Sequence, residues 1–259
     1  MLELRPPAVA GSFYPADPAE LAAQVDAMLE AAPAGQGRRP KALIVPHAGY
    51  IYSGPTAAAA YARLLPFADR IARVVLIGPT HHVYVDGLAW PGARRLATPL
   101  GAVAVELDAV ADLPAHAAAH AREHALETQL PFLQRVLPRA TIVPLVGSRA
   151  APAEVAALLA RLAGSDDTLI VISSDLSHFH GYDAARVRDA RTADRIVARD
   201  ATLAGEDACG AIGVNGVLAL ARARGLEVER IELCNSGDRA ARSRDRVVGY
   251  GAFALHEAA

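Results

Sequence analysis

Lys41-Ala42-Leu43-Ile44-Val45-Pro46-His47-Ala48-Gly49-Tyr50 is the stretch on which the reading of this chain turns. An apolar run continues without a polar break and then stops at a proline, a histidine and a glycine. A strand exposed on one face alternates apolar and polar residues. A strand covered on both faces reads as continuous apolar sequence. The pattern recurs outward along the chain. Arg73-Val74-Val75-Leu76-Ile77 ends in Gly78-Pro79-Thr80-His81-His82, and Thr141–Val146 is a third run. Thr168-Leu169-Ile170-Val171-Ile172 is a fourth, ending in Ser173-Ser174-Asp175-Leu176-Ser177-His178.

Helical segments lie between these runs. Asp17-Pro18-Ala19-Glu20 is a start signal: an aspartate to accept from free amides, a proline at the first turn and a glutamate in capping position. Leu21, Val25, Met28 and Leu29 follow at helical spacing. Ser53 or Thr56 is expected to cap an alanine-rich helix reaching about Leu65. Further helices are expected over 116–136, bent or restarted at Pro131, and over 152–163, 183–200 and 211–224. Residues 83–105 read as loop and short strands, and Glu227–Leu233 and Val247–Leu255 as closing strands. Alternating buried strands and helices predict an α/β fold: one domain over 1–259, with a central mixed, largely parallel sheet and helices on both faces.

Composition narrows the function classes. With 53% hydrophobic and 21% charged residues in 259, the chain is globular and not disordered. A net charge of -2 leaves no electrostatic footprint for nucleic acid or an anionic membrane. Arg239, Arg242, Arg244 and Arg246 read as a solvated loop. The only cysteines, Cys209 and Cys234, exclude a disulfide scaffold and suit reduced thiols in a cytoplasmic protein. Met1–Pro7 lacks the features of a signal peptide. The charge-free stretch from Ala42 to Ala62 is broken by Pro46, His47, Gly49, Gly54 and Pro55, which is not a membrane helix.

The chemistry lies where the strands stop. Parallel strands bring their carboxyl ends to one edge of the sheet, where open α/β folds bind ligands. Here that edge receives His47, His81-His82, Asp175 and His178. Two neutral imidazoles and a carboxylate suit Fe(II), Zn or Mn with open positions for substrate, Asp175 or Asp238 supplying the carboxylate. Histidine as a residue type changes charge near neutrality, so His178 is the candidate acid or base. His116, His120 and His124 share a helical spacing. The alanines around the first two mark them as structural or solvated, whereas Glu123 and Glu127 flank His124 and can orient it. His82, Glu123 and Cys234 are secondary candidates. Cys234 is a soft donor in competition with Asp238, and Cys209, at the start of a helical run, reads as a buried inert thiol. Tyr50, Tyr52 and Trp90 line a pocket or pack in the core. Ser173-Ser174 lacks the Gly-x-Ser-x-Gly elbow of a serine hydrolase, and no phosphate loop or Cys-x-x-Cys is present.

Six segments in order carry a family resemblance: Ala10-Gly11-Ser12-Phe13-Tyr14-Pro15, Pro46-His47-Ala48-Gly49-Tyr50, Gly78-Pro79-Thr80-His81-His82, Glu123-His124-Ala125-Leu126-Glu127, Ser173-Ser174-Asp175-Leu176-Ser177-His178, and Asn235-Ser236-Gly237-Asp238 followed by Val248-Gly249-Tyr250. Together they resemble the MEMO family (mediator of ErbB2-driven cell motility), whose prokaryotic members are labelled AmmeMemoRadiSam system protein B. The resemblance covers essentially the whole chain and implies a fold like the class III extradiol dioxygenases, which use non-haem Fe(II). It implies His47 and His81 as metal ligands, with Asp175, His178 and His124 completing a catalytic pocket in which His178 moves the proton. A carboxylate completes the ligand set in the ring-cleaving relatives, and a cysteine of the C-terminal segment takes part in the animal member. That cysteine's approximate position matches Asp238-Arg239, so Asp238 is the expected third ligand and Cys234 the next. The implied cofactor is Fe(II), with Cu or Zn as alternatives. The implied partners are a radical SAM protein and an AMMECR-type protein, and the substrate is a small molecule or peptide. The resulting expectation is a metal-dependent redox enzyme of a bacterial cytoplasm. A non-catalytic metal- or peptide-binding adaptor and a metal-assisted hydrolase are the alternatives.

Overall fold

The apolar runs fold as strands in the computed structural model, which describes residues 1–33, 37–239 and 244–258; Arg242 lies outside the described residues. In chain order the strands are β1 (Leu2–Arg5), β2 (Ala42–Val45), β3 (Arg73–Pro79), β4 (Ala93–Thr98), β5 (Gly101–Ala104), β6 (Thr141–Gly147), β7 (Thr168–Ser173), β8 (His178–His180), β9 (Glu227–Asn235) and β10 (Val247–His256). The main sheet runs β6-β3-β7-β2-β10-β8, and β9 pairs with β10. β6, β3, β7 and β2 are mutually parallel, while β10 runs against β2, β8 and β9. This is a mixed α/β architecture with a largely parallel central sheet, and its carboxyl edge collects the ends of β2, β3 and β7. A small second sheet pairs β1 in parallel with β4 and β4 antiparallel with β5.

Helices cover the sheet because their apolar stripes have nowhere else to bury. Helix Pro18–Ala31 starts as its sequence dictates, with Asp17 accepting from the amides of Ala19 and Glu20 and with Leu21, Val25 and Leu29 buried. Helices Pro152–Leu162 and Ala211–Arg224 pack against each other, and the latter lies on β3 and β7. Gly216 permits that approach, since a side chain there would run into Val155. Helix Tyr50–Tyr61 packs on β2, β9 and β10.

Two expectations about helices change. The alanine-rich helix begins at Tyr50, with Gly49 as its cap, and not at Ser53 or Thr56. Ser53 bonds back to the Ala48 carbonyl, and Thr56 faces Cys234. The region 116–136 is not one helix. It breaks into Ala117–Ala121, a single turn at Glu127–Gln129 and Leu130–Val136. Between them the Glu123 carboxylate accepts from the amides of His124 and Ala125, so a side chain replaces the helical partners. Arg5 takes the His120 and Glu123 carbonyls at the same break. One continuous apolar cluster spans the sheet and its helices. Among the described residues no helix is long and apolar enough to cross a membrane.

Candidate metal centre

Three of the parallel strands, β2, β3 and β7, deliver His47, His81 and Asp175 to the carboxyl edge. His47 follows β2 and is 1% exposed. Its backbone amide donates to Asp175 Oδ1 at 2.7 Å, and its Nδ1 lies 2.9 Å from Ser173 Oγ. His81 follows β3. Its amide donates to Glu123 Oε2 at 2.6 Å, and its Nδ1 meets Glu123 Oε1 at 2.8 Å. An ionised carboxylate only accepts, so His81 carries its proton on Nδ1 and keeps the Nε2 lone pair free. This is the carboxylate–imidazole arrangement that orients metal-binding histidines. His124 enters from the helix break. Its ring lies between Phe13, at 4.7 Å, and His81, at 4.5 Å and nearly parallel. The His47 ring meets both other imidazoles edge-on at 5.3 Å.

The result is a trio. One ring nitrogen each from His47, His81 and His124 lies within 4.8 Å of the others. A metal with bonds of about 2.0–2.1 Å to tetrahedral nitrogens holds them about 3.4 Å apart, so small ring rotations close this set on one ion. Burial holds His47 down at about 3 and His124 at about 4, with the neighbouring imidazoles adding to it. Both are therefore neutral, as ligands must be. Burial penalises the Glu123 carboxylate, but His81 and the backbone amides overcome this and hold it at about 2. Burial likewise opposes a charged His81, yet Glu123 raises its affinity for a proton. Asp175, fully enclosed, is raised by burial against the pull of the His47 amide and the imidazoles.

The segment bearing Glu123 and His124 is itself clamped. Arg5 pairs with Glu127 and donates to the His120 and Glu123 carbonyls. Glu127 also accepts from the amides of Ala8 and Val9 and from the Tyr14 hydroxyl.

Comparison with known proteins matches this chain to the model of the family described as Memo-like protein over residues 5–254. The chain belongs to the Memo-like family. It is similar to the MEMO1 family protein of Aquifex aeolicus, 37% identical over 207 residues covering 73% of this chain and 72% of that protein. It is also similar to the MEMO1 family proteins of Methanothermobacter thermautotrophicus (32% identity, 95% of this chain, 98% of that protein) and Thermotoga maritima (33%, 95% and 97%).

Within this Memo-like chain the expected site residues divide. His47, His81, His124 and Glu123 come together, with Asp175 on the His47 amide. His178 opens β8 half-buried, close enough for its charge to act on both His47 and Asp175. His82 is exposed and stands outside the trio. Asp238, expected as third ligand, does not join the trio. Its carboxylate accepts from the Tyr182 hydroxyl at 2.5 Å and the Asn235 amide at 2.9 Å, which fixes it in its own turn. The third member of the trio is His124.

Cys234 bonds with Thr56 and lines a separate cavity of about 440 Å³ with Asp183, Arg186 and Asp189. The thiol at the centre is Cys209, with Sγ 3.3 Å from His47 Nε2 and accepting from the Asp175 amide. Both thiols are free. Burial, reinforced by Asp175, pushes Cys209 up to about 12. The sequence signal for Cys209 was its place at the start of the 211–224 helix, which packs on β3 and β7. His120 is structural, buried with Nε2 on the Ala89 carbonyl, and Tyr50 packs between Tyr14 and Phe132.

Proposed function

We propose that this Memo-like chain is a metalloprotein in which His47, His81 and His124 hold one transition-metal ion for redox chemistry on a small molecule or peptide. The observation that carries the reading is the convergence of three imidazole nitrogens, one already oriented by a buried carboxylate. Three neutral imidazoles suit Fe, Cu or Zn, and Fe(II) is the first choice because the trio leaves coordination positions open. When bound, such an ion supplies oxygen activation or electron transfer to a coordinated substrate. The chain's own residues do the rest. Glu123 fixes the His81 ring, and Phe13 packs on His124. Cys209 sits against His47, its sulfur 3.3 Å from Nε2. His178, at the half-buried start of β8, gives or takes a proton beside Asp175.

The test is metal content after anaerobic purification, measured for Fe, Cu, Zn and Mn. One ion per chain is expected in the wild type, with loss in each of His47→Ala, His81→Ala and His124→Ala. A wild type that takes up no transition metal on anaerobic reconstitution ends this reading in favour of a non-catalytic binding protein. That second reading draws on Ile51, Tyr84 and Phe179, which are 61%, 65% and 62% exposed on the segments following His47, His81 and His178. A radical SAM protein and an AMMECR-type protein are the proposed partners. Co-purification of either with the tagged chain, lost on addition of excess untagged chain, is the corresponding test.

A further inference from the structure

The hydroxyl of Ser173, at the end of β7, has three polar neighbours. They are the Ala125 carbonyl at 2.6 Å, His47 Nδ1 at 2.9 Å and Gln129 Nε2 at 3.0 Å. A hydroxyl owns one proton and two acceptor positions. The Ala125 carbonyl only accepts, and two oxygens this close without a proton between them would repel, so the Ser173 proton lies there. The Gln129 amide nitrogen only donates, so it fills one lone pair. What remains for His47 Nδ1 is the other lone pair, and Nδ1 must therefore be the protonated nitrogen.

The argument depends on which way Gln129 faces, and its surroundings settle that. Gln129 Nε2 also donates to the Pro46 carbonyl at 2.9 Å, while Oε1 receives the Tyr61 hydroxyl at 3.0 Å. A flipped amide would set Oε1 against the Pro46 carbonyl and leave both oxygens without a proton. Ser173, Gln129 and Tyr61 are each 0% exposed, so no bulk water substitutes for any partner. One amide thus ties together the segment before His47, the segment after His124 and the end of β7.

We propose that Gln129 and Ser173 are positioning residues that lock His47 in its Nδ1–H tautomer, leaving the Nε2 lone pair to accept from the Cys209 thiol 3.3 Å away in the metal-free chain and to serve as the ligand atom of the imidazole trio. His81 receives the same instruction from Glu123, but through a charge, whereas His47 receives it through a neutral relay. The consequence for metal binding rests on the function proposed above; the tautomer itself does not.

The test is a long-range ¹H–¹⁵N correlation spectrum of the metal-free, ¹⁵N-histidine-labelled chain at pH 7.5, with His47 assigned by loss of its signals in His47→Gln. His47 is expected with the proton on Nδ1. Ser173→Ala removes the acceptor and is expected to move the His47 proton to Nε2. It should also weaken Co²⁺ and Zn²⁺ binding by about 10–100-fold, the range seen for outer-shell partners of metal ligands. Ser173→Thr keeps the hydroxyl and should restore both. A wild-type spectrum with His47 protonated on Nε2 overturns the proposal without need of a variant, as does an unchanged tautomer in folded Ser173→Ala. If the tautomer follows Ser173 but neither protein binds Co²⁺ or Zn²⁺, the relay stands and the metal reading falls. If metal binds and His47 carries its proton on Nε2 in the metal-free chain, the relay alone falls.

Discussion

The two edges of the main sheet carry the same residue types and use them in opposite ways. At the carboxyl edge Glu123, Glu127, Asp175, Arg5 and His47 are all buried, and each is held by several hydrogen bonds. At the amino edge Lys41 meets Asp166 at 2.6 Å and Glu257 at 3.2 Å, and Arg38 meets Glu227 at 2.8 Å, with all the carboxylates exposed to water. Solvated pairs exchange freely with water and specify little geometry. Desolvated ones must be satisfied in full, and that demand fixes ring orientation and protonation state. The carboxyl edge is therefore set apart by its desolvated ion pairs, on which the more exposed His81 ring is anchored through Glu123.

The largest effect that sharpens this contrast is expected at Arg5. Arg5→Met strands Glu127 in the core and should cost about 3–5 kcal/mol in urea denaturation. A loss under about 1 kcal/mol would make the two edges equivalent. Gly249 is next. Its amide donates to the Ser177 carbonyl, its carbonyl receives the Leu176 amide, and a side chain there would strike the Asp189 carboxylate. Gly249→Ala should cost about 1–3 kcal/mol by overpacking and shift the resonances of Asp175–His178.

Acidification probes the same edge. Burial sets His47 at about 3 and His120 and His124 at about 4 in the folded chain. Unfolded histidine titrates near 6.5, so below that pH the unfolded metal-free chain binds more protons and folding weakens. The slope approaches about 1.4 kcal/mol per pH unit for each histidine. Glu123, depressed to about 2, adds to the loss as the pH falls below its unfolded value. His81, raised by Glu123, acts oppositely; its contribution is present at low pH and is lost as pH rises through its folded pKa. Denaturation midpoints of the metal-free chain between pH 7.5 and 5 should fall with pH, and a flat profile would remove the buried-neutral assignment. The smallest effect is at the amino edge, where Arg38→Met should change stability by less than about 1 kcal/mol and still less in 1 M salt.

Much of this was legible in the chain. Continuous apolar runs gave β2, β3, β6 and β7 nearly to the residue, because a strand covered on both faces has no polar positions to blur its limits. The rule that ligands gather at strand ends pointed to the edge where His47, His81 and Asp175 do come together. Legibility failed where a long-range contact overrides a local preference. The helix expected over 116–136 is broken by Glu123 and by Arg5, which lies more than a hundred residues away. That break is what turns His124 toward the other imidazoles. Asp238 looked like a ligand by position, yet Tyr182 and Asn235 occupy it. Cys209 comes to His47 across 162 positions of sequence, a distance no local pattern spans.

The placement of β10 has a consequence for biosynthesis. β10 follows every other strand in the chain, yet it pairs with β2 in the interior of the sheet and with β8 and β9. Until it arrives, one side of β2 offers unpaired backbone groups, and the Leu176 amide lacks its Gly249 partner. A nascent chain emerging from the ribosome therefore carries an open, apolar strand edge until β10 has been made. That edge must be kept from other chains until β10 pairs with it, and the segment from Asp175 to His178 gains its Gly249 partners only then.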